Sequence, residues 1–199
     1  MTYAPTDRTR LRRKRDRGSH DRETVHAILD EALIAHVAVN ETAGPVVLPM
    51  AFVRIDESLY LHGAAGNRLL RTIADGAPVG ITVTLIDGLV LARSAFHHSM
   101  NYRCVVVFGS GARVTEPDEL VRVSDAFVER MSPGRSEEAR RPTPDELRAT
   151  LVVRVPLEEA SAKVRTGGPS DDDEDMALPV WSGVVPLTLE RGAPVADAT

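Results

Sequence analysis

The apolar positions change period along the chain, and the changes mark its elements. Val25, Ile28, Leu29, Ala32 and Leu33 recur at helical spacing, with Ser19 or Asp21 placed to cap the helix. The pattern then shortens to the β-prone run Ala35–Val39. Glu41-Thr42-Ala43-Gly44 is turn chemistry, and Pro45 to Ile55 reads as a second strand. Asp56-Glu57-Ser58 turns again into Leu59-Tyr60-Leu61-His62. Three short strands on tight turns predict an antiparallel meander.

Gly63 to Gly66 leads into a short helix, Asn67 to Asp75, ended by Gly76-Ala77-Pro78. Val79 to Ile86 is strongly β-prone, Asp87-Gly88 is a hairpin signal, and Leu89 to Ala92 returns. Tyr102 to Thr115 reads as one long strand, with Gly109 and Gly111 permitting a bend. Pro117 to Met131 is amphipathic at helical period. Pro133 to Arg141 is a charged loop, and Thr143 with Glu146 three residues on has capping-box spacing. Further strands are expected at Leu151 to Leu157 and Val184 to Leu189. Many short strands with few helical crossovers predict a mainly β fold with flanking helices, built as a closed antiparallel barrel.

Composition narrows the class. At 199 residues and 43% hydrophobic the chain builds a core, and with 4% aromatic residues that core rests on aliphatics. One cysteine, Cys104, excludes a disulfide scaffold and reads as a small buried hydrophobe. No apolar run is long enough for a membrane helix, and the start lacks the apolar stretch of a secretory signal, so a cytoplasmic location is expected. The net charge of −5 hides an asymmetry. Arg8, Arg10, Arg12, Arg13, Lys14, Arg15 and Arg17 crowd the start, and Asp171 to Asp175 are all acidic. Both blocks are expected to be solvated. Residues 1–18 read as a flexible basic arm, 19–190 as the folded domain and 191–199 as a tail. The acidic balance and the lack of interleaved aromatics in the arm argue against nucleic acid as a partner.

The chemistry-bearing stretch is Leu59 to Arg68. Small residues after a strand leave backbone N–H groups beside a helix start, and Arg68 adds a guanidinium suited to phosphate. The same residues also make an ordinary strand-to-helix turn. His62 is placed to touch a ligand or move a proton, or to be structural. Adjacent His97 and His98 point apart on a strand, which argues against a metal site. Lys163 reads as part of a basic face and Trp181 as packing or a pocket wall.

Taken in order, Arg22–Val39, Pro49–Val53, Leu61-His62-Gly63 and Tyr102-Arg103-Cys104-Val105-Val106-Val107-Phe108-Gly109 resemble the pyridoxamine 5′-phosphate oxidase-like FMN-binding split-barrel superfamily. Within it the nitroimidazole-resistance-like flavoproteins are the most similar branch. The resemblance implies a six-stranded split β-barrel, a homodimer and FMN at the dimer grooves. It implies that Pro49, Met50, Ala51 and Phe52 run along the flavin ring. His62, Gly63 and Ala64 would face flavin and phosphate, and Asn67 and Arg68 would form the phosphate turn. Tyr102 and Arg103 would approach the cofactor from a further strand, joined by Lys163 and Trp181. Oxidase members carry Arg-Lys in the phosphate turn, whereas this chain has Arg68-Leu69. The implied activity passes electrons from reduced nicotinamide, NAD(P)H, through FMN to a small acceptor such as a nitroaromatic, with His62 as the proton-transfer residue. The alternative is a non-enzymatic flavin- or haem-binding or sensing protein.

Overall fold

A computed structural model describes residues 1–197, so the last two residues of the expected C-terminal tail lie outside the described residues. The strands are β1 (Gly18–Ser19), β2 (Ile34–Glu41), β3 (Gly44–Ile55), β4 (Ser58–Ala64), β5 (Pro78–Leu91), β6 (Ser99–Ser110), β7 (Ala112–Arg113), β8 (Thr150–Pro156), β9 (Glu159–Arg165) and β10 (Gly183–Pro186). The helices are α1 (Arg22–Glu31), α2 (Arg68–Ala74), α3 (Pro117–Met131), α4 (Arg135–Glu138) and α5 (Pro144–Ala149). The strand order is β1-β9-β6-β5-β2-β3-β4-β8-β7, with β10 paired to β5. The fold is thus mainly β and antiparallel, as the patterning predicts. It differs in count and closure: ten strands replace the expected six, and the order has two ends, β1 and β7.

The chain forms two compact units. Unit 1 is Met1–Thr84 with Cys104–Lys163, and unit 2 is Leu85–Arg103 with Val164–Thr199. In unit 1, β2 pairs with β3 from Ile34↔Ala51 to Glu41↔Gly44, and β4 pairs with β8 from Ser58↔Pro156 to Ala64↔Thr150. Strand alternation buries Ala35, Val37 and Val39 of β2 and turns Ile34 and His36 outward. Helix α1 is capped by Asp21, which accepts from Thr24 N, and its Val25, Ile28 and Leu29 are buried. Helix α3 lays Val123 and Phe127 on Val53, Tyr60, Val114 and Val152.

The expected flexible arm is not free. Tyr3 is buried, its N–H donates to His20 O at 2.8 Å, and its hydroxyl meets Glu57 Oε2 and His26 Nε2 at 2.9 Å each. Arg8 pairs with Glu159 and lies over the Phe108 ring. Tyr3 and Arg8 thus hold the start of the arm, while Arg10, Arg12, Arg13, Lys14 and Arg15 are exposed as expected.

Unit 2 replaces a core with polar ties. Arg93 donates from its backbone N–H to Asp171 at 2.8 Å, and from its guanidinium to Asp171 at 2.9 Å and Ser182 Oγ at 2.6 Å. Buried Arg165 binds Asn101 and the Gly167 and Gly168 carbonyls. Within the acidic block Asp171 is therefore structural, while Asp172, Asp173 and Glu174 are exposed as expected. Asp171 is almost fully enclosed (1% side-chain exposure). Burial pushes its carboxyl up, but the Arg93 hydrogen bonds and charge outweigh this and hold it below the usual carboxylate range.

The hairpin expected at Asp87-Gly88 does not form. The chain runs straight through as β5 because β10 pairs along it from Gly183↔Leu91 to Pro186↔Gly88. Arg103 fixes the Asp87 carboxylate at 2.7 and 2.9 Å. The long strand expected to Thr115 instead breaks after Ser110. At Gly111 a Cβ would sit 2.4 Å from Ile73 Cγ2, so only glycine admits the helix side chain there.

Candidate functional site

The turn after β4 is built from its own small residues. Gly63 is required by close approach, since a Cβ would lie 3.0 Å from Leu70 Cδ1 and 3.3 Å from Asn67 Nδ2. The N–H groups expected to be free are mostly spent: Ala65 N donates to Ala149 O and Asn67 N to Ala64 O, each at 2.8 Å. Asn67 is a helix cap, its Oδ1 accepting from Leu70 N at 3.1 Å. What remains for an anion is Arg68, whose side chain is 77% exposed. Its Nε lies 3.1 Å from Glu41 Oε1, an ion pair by distance in which Glu41 Oε1 accepts no hydrogen bond. Arg68 is mostly exposed while Glu41 is largely enclosed, so the guanidinium keeps open edges for an anion beside the carboxylate.

Along β3, Pro49 is exposed, Met50 and Ala51 are half-buried and Phe52 is fully buried. A strand that alternates faces cannot lay four consecutive side chains on one ring, so only the backbone of Phe52 is available to a ligand. Ala64 is exposed beside Gly63. Lys163 lies in unit 1 opposite Gly18 of β1, and its positive charge acts on half-buried Cys104. Burial nevertheless dominates and pushes the Cys104 thiol up, which makes it a poor nucleophile. Tyr102, Arg103 and Trp181 fall in unit 2. There Arg103 is committed to Asp87, and Trp181, 63% exposed, packs an edge against Gly183. Of the adjacent histidines, His97 meets Asp172 and His98 meets Ser94 O, so their partners differ.

His62 leads elsewhere. It lines a cavity of about 330 Å³ in unit 1, walled by Leu120, Val123, Phe127 and Val128 of α3, Leu147 of α5 and Val152 of β8. Its ring meets Phe127 edge to face, with centroids 4.1 Å apart and planes at 70°. It makes no hydrogen bond to another described residue. His62 is exposed and lines this cavity. Desolvation by the walls holds the imidazole below its ordinary range, hence neutral at pH 7. Neutral, and with no hydrogen-bond partner for its ring among the described residues although Ser124, Glu146 and Thr150 also line the cavity, it is placed better as a ligand than as a proton shuttle.

The walls are held firmly. At one end of α3, Glu119 accepts from the Tyr60 hydroxyl at 2.7 Å and from Arg154 at 3.2 Å. Burial first, and Glu119 second, push the Tyr60 phenol up. At the other end Arg130 donates to the Leu29, Asp30 and Ala32 carbonyls at the end of α1, where a cation also suits the helix dipole. Glu146 on the rim is already committed. Its carboxylate binds Arg140 and Thr143 N, which lowers it from 4.5 to about 2. Sequence reading missed the cavity, because its lining comes from four elements spread between residues 62 and 152; the one advance sign was the apolar stripe of α3.

Comparison with known proteins agrees with this fold. No functionally curated protein matches the chain. The flavocytochrome Anf3 of Azotobacter vinelandii is 37% identical, with a TM-score of 0.92 over 98% of this chain and 91% of that one. The FAD- and haem-binding protein of Mycobacterium smegmatis is 38% identical, with a TM-score of 0.87 over 92% and 89%. A Bacteroides thetaiotaomicron protein assigned to 5-nitroimidazole antibiotic resistance shares the fold at 21% identity and a TM-score of 0.62, over 74% and 86%. The pyridoxamine 5′-phosphate oxidase family model matches residues 21–164. With most of its length so matched, and with the strand and turn motifs in the order the resemblance required, the chain belongs to the pyridoxamine 5′-phosphate oxidase family.

Proposed function

We propose that this protein binds a flavin and a haem and passes electrons between them, with His62 as the protein ligand to the haem iron. The observation that carries this is a solitary neutral imidazole in an apolar cavity. It occurs in a chain 37–38% identical over nearly its whole length to a flavocytochrome and to a FAD- and haem-binding protein. The donor set fits the group. Haem iron takes a neutral imidazole nitrogen, and its macrocycle needs apolar walls to exclude water. Leu120, Val123, Val128 and Val152 supply the walls, and α3 is fixed at both ends to hold them. When bound, the haem supplies a one-electron centre and the flavin a centre for one or two electrons.

The flavin is assigned to the outer side of β3 and the Gly63–Arg68 turn, with Arg68 meeting its phosphate. FMN was the expectation from sequence; the M. smegmatis neighbour names FAD, and we favour FAD. Reduced nicotinamide is the proposed electron source and a small oxidant, a nitroaromatic among them, the acceptor. The working form is a homodimer. Unit 2 leaves Ile86, Leu89, Phe96, Met100, Val185 and Leu187 exposed, more apolar surface than so small a unit leaves in water without a partner.

The test is spectroscopic. Protein reconstituted with haemin and FAD should show a ligated haem spectrum beside flavin absorption, and His62→Ala should lose the ligated spectrum while keeping the flavin. Acid extraction identifies FAD or FMN, and NAD(P)H consumption separates an enzyme from a binding or sensing protein. A His62→Ala variant with an unchanged haem spectrum would overturn the assignment of His62.

A further inference from the structure

We propose that Phe127 is the positioning residue for His62: its ring, and no hydrogen bond, sets the plane of the imidazole. The inference rests on the reading of His62 as a haem ligand. A ligating histidine ordinarily donates its second ring N–H to a carbonyl or carboxylate, which fixes tautomer and orientation together. Here neither ring nitrogen has such a partner among the described residues. The polar residues that share the cavity, Ser124, Glu146 and Thr150, make no hydrogen bond to the imidazole, and Glu146 is held by Arg140 and Thr143. What touches His62 is the Phe127 ring, 4.1 Å between centroids and 70° between planes, the edge-to-face geometry that aromatic pairs prefer.

Phe127 is itself well anchored. It is 8% exposed and belongs to the buried cluster of Val53, Tyr60, Val114, Val123 and Val152. Tyr60 stands two residues before His62 on β4, so both side chains leave the same face of the strand. Its hydroxyl ties that face to α3 through Glu119, and Arg130 ties the far end of α3 to α1. The element that presents Phe127 and the strand that presents His62 are therefore braced against each other on both sides of the contact. Rotation of the imidazole toward α3 would run into the Phe127 ring, which is 8% exposed. An imidazole held by shape and not by an acceptor also receives no electron density through its second nitrogen, unlike one in a carboxylate–histidine pair.

The test uses the full-length protein reconstituted with haemin. Phe127→Leu keeps an apolar wall and removes the ring. It should weaken haemin binding about tenfold, the lower end for loss of a ligand-orienting partner, and broaden the electron paramagnetic resonance signal of the ferric state as the imidazole plane becomes distributed. Phe127→Tyr retains the ring and should restore both. In cofactor-free protein, the nuclear Overhauser contacts between the His62 and Phe127 rings should be strong in the wild type. Unchanged affinity and an unchanged, sharp signal in Phe127→Leu would overturn the inference. If Phe127→Leu does not fold, Phe127→Met carries the same expectation. The two readings fail separately: a wild-type haem spectrum in His62→Ala removes His62 as ligand, whereas loss in His62→Ala with no effect of Phe127→Leu removes only Phe127.

Discussion

Unit 1 and unit 2 solve the problem of staying folded by different means. Unit 1 buries Phe52, Leu59, Leu61, Leu70 and Ile73 completely or nearly so, a core of aliphatic side chains and few aromatics. In unit 2 the buried hydrophobic side chains are Val90 and Ala92, while Asn101 and Arg165 are buried polar residues. Unit 2 depends instead on the Arg93–Asp171–Ser182 and Arg165–Asn101 networks, and it turns apolar side chains to the outside. Hydrophobic burial scales with area and tolerates local change, whereas a polar network is held only while every member is satisfied. The lesson is that unit 1 can carry a cavity with a fixed wall, and unit 2 is the part whose order depends on what covers it.

The comparison can be broken first in the core. Phe52→Ala should cost about 3–5 kcal/mol in denaturant unfolding, because a fully buried ring leaves a cavity among close-packed neighbours. A cost near that of a surface change would mean that unit 1 is not the stable part. In unit 2, Asp171→Asn should raise amide exchange across Arg93 and Ser182 and leave exchange in α1 and β4 unchanged. Exchange rising equally in both units would erase the distinction. Tyr60→Phe removes one hydrogen bond to Glu119 and should cost about 1 kcal/mol. If the proposed haem site is correct, its flavin content should be unchanged and its haem affinity reduced.

The smallest effect expected is pH-dependent. The Glu146 carboxyl is lowered from 4.5 to about 2 by Arg140 and Thr143. Folding therefore favours its ionised form, and the stabilisation is fully present above pH 4.5 and lost as pH falls to about 2. Wild type should melt above Glu146→Gln at neutral pH, and the gap should close across that window. A gap that is constant with pH would show that the capping box works without the charge.

The sheet-forming segments of unit 1 could be read from sequence because their periodicity and turns agree locally. Asp21 caps α1, β2 to β4 follow the meander, and Thr143 with Glu146 makes the expected box. Strand β9 was not read as a strand. Its Ala160, Ser161 and Ala162 are all buried, so no alternation marks it. Of the expected site residues, His62 lines the cavity walled by α3, a placement that nothing local in the sequence announces. Asn67 also caps α2, and the Phe52 side chain is buried in the core.

Sequence alone determined the mainly β class and the family, because these depend on side-chain period, motif order and residue type. Tertiary structure decided what no window of residues contains. Pairing with β10 turned the Asp87-Gly88 signal into the middle of a strand. The buried Tyr3 tied down the start of a basic arm. Residues nearly a hundred positions apart enclosed one imidazole in an apolar space. Each of these is a contest between local preference and distant contact, and its outcome depends on the free energy of groups that meet only once the chain has folded.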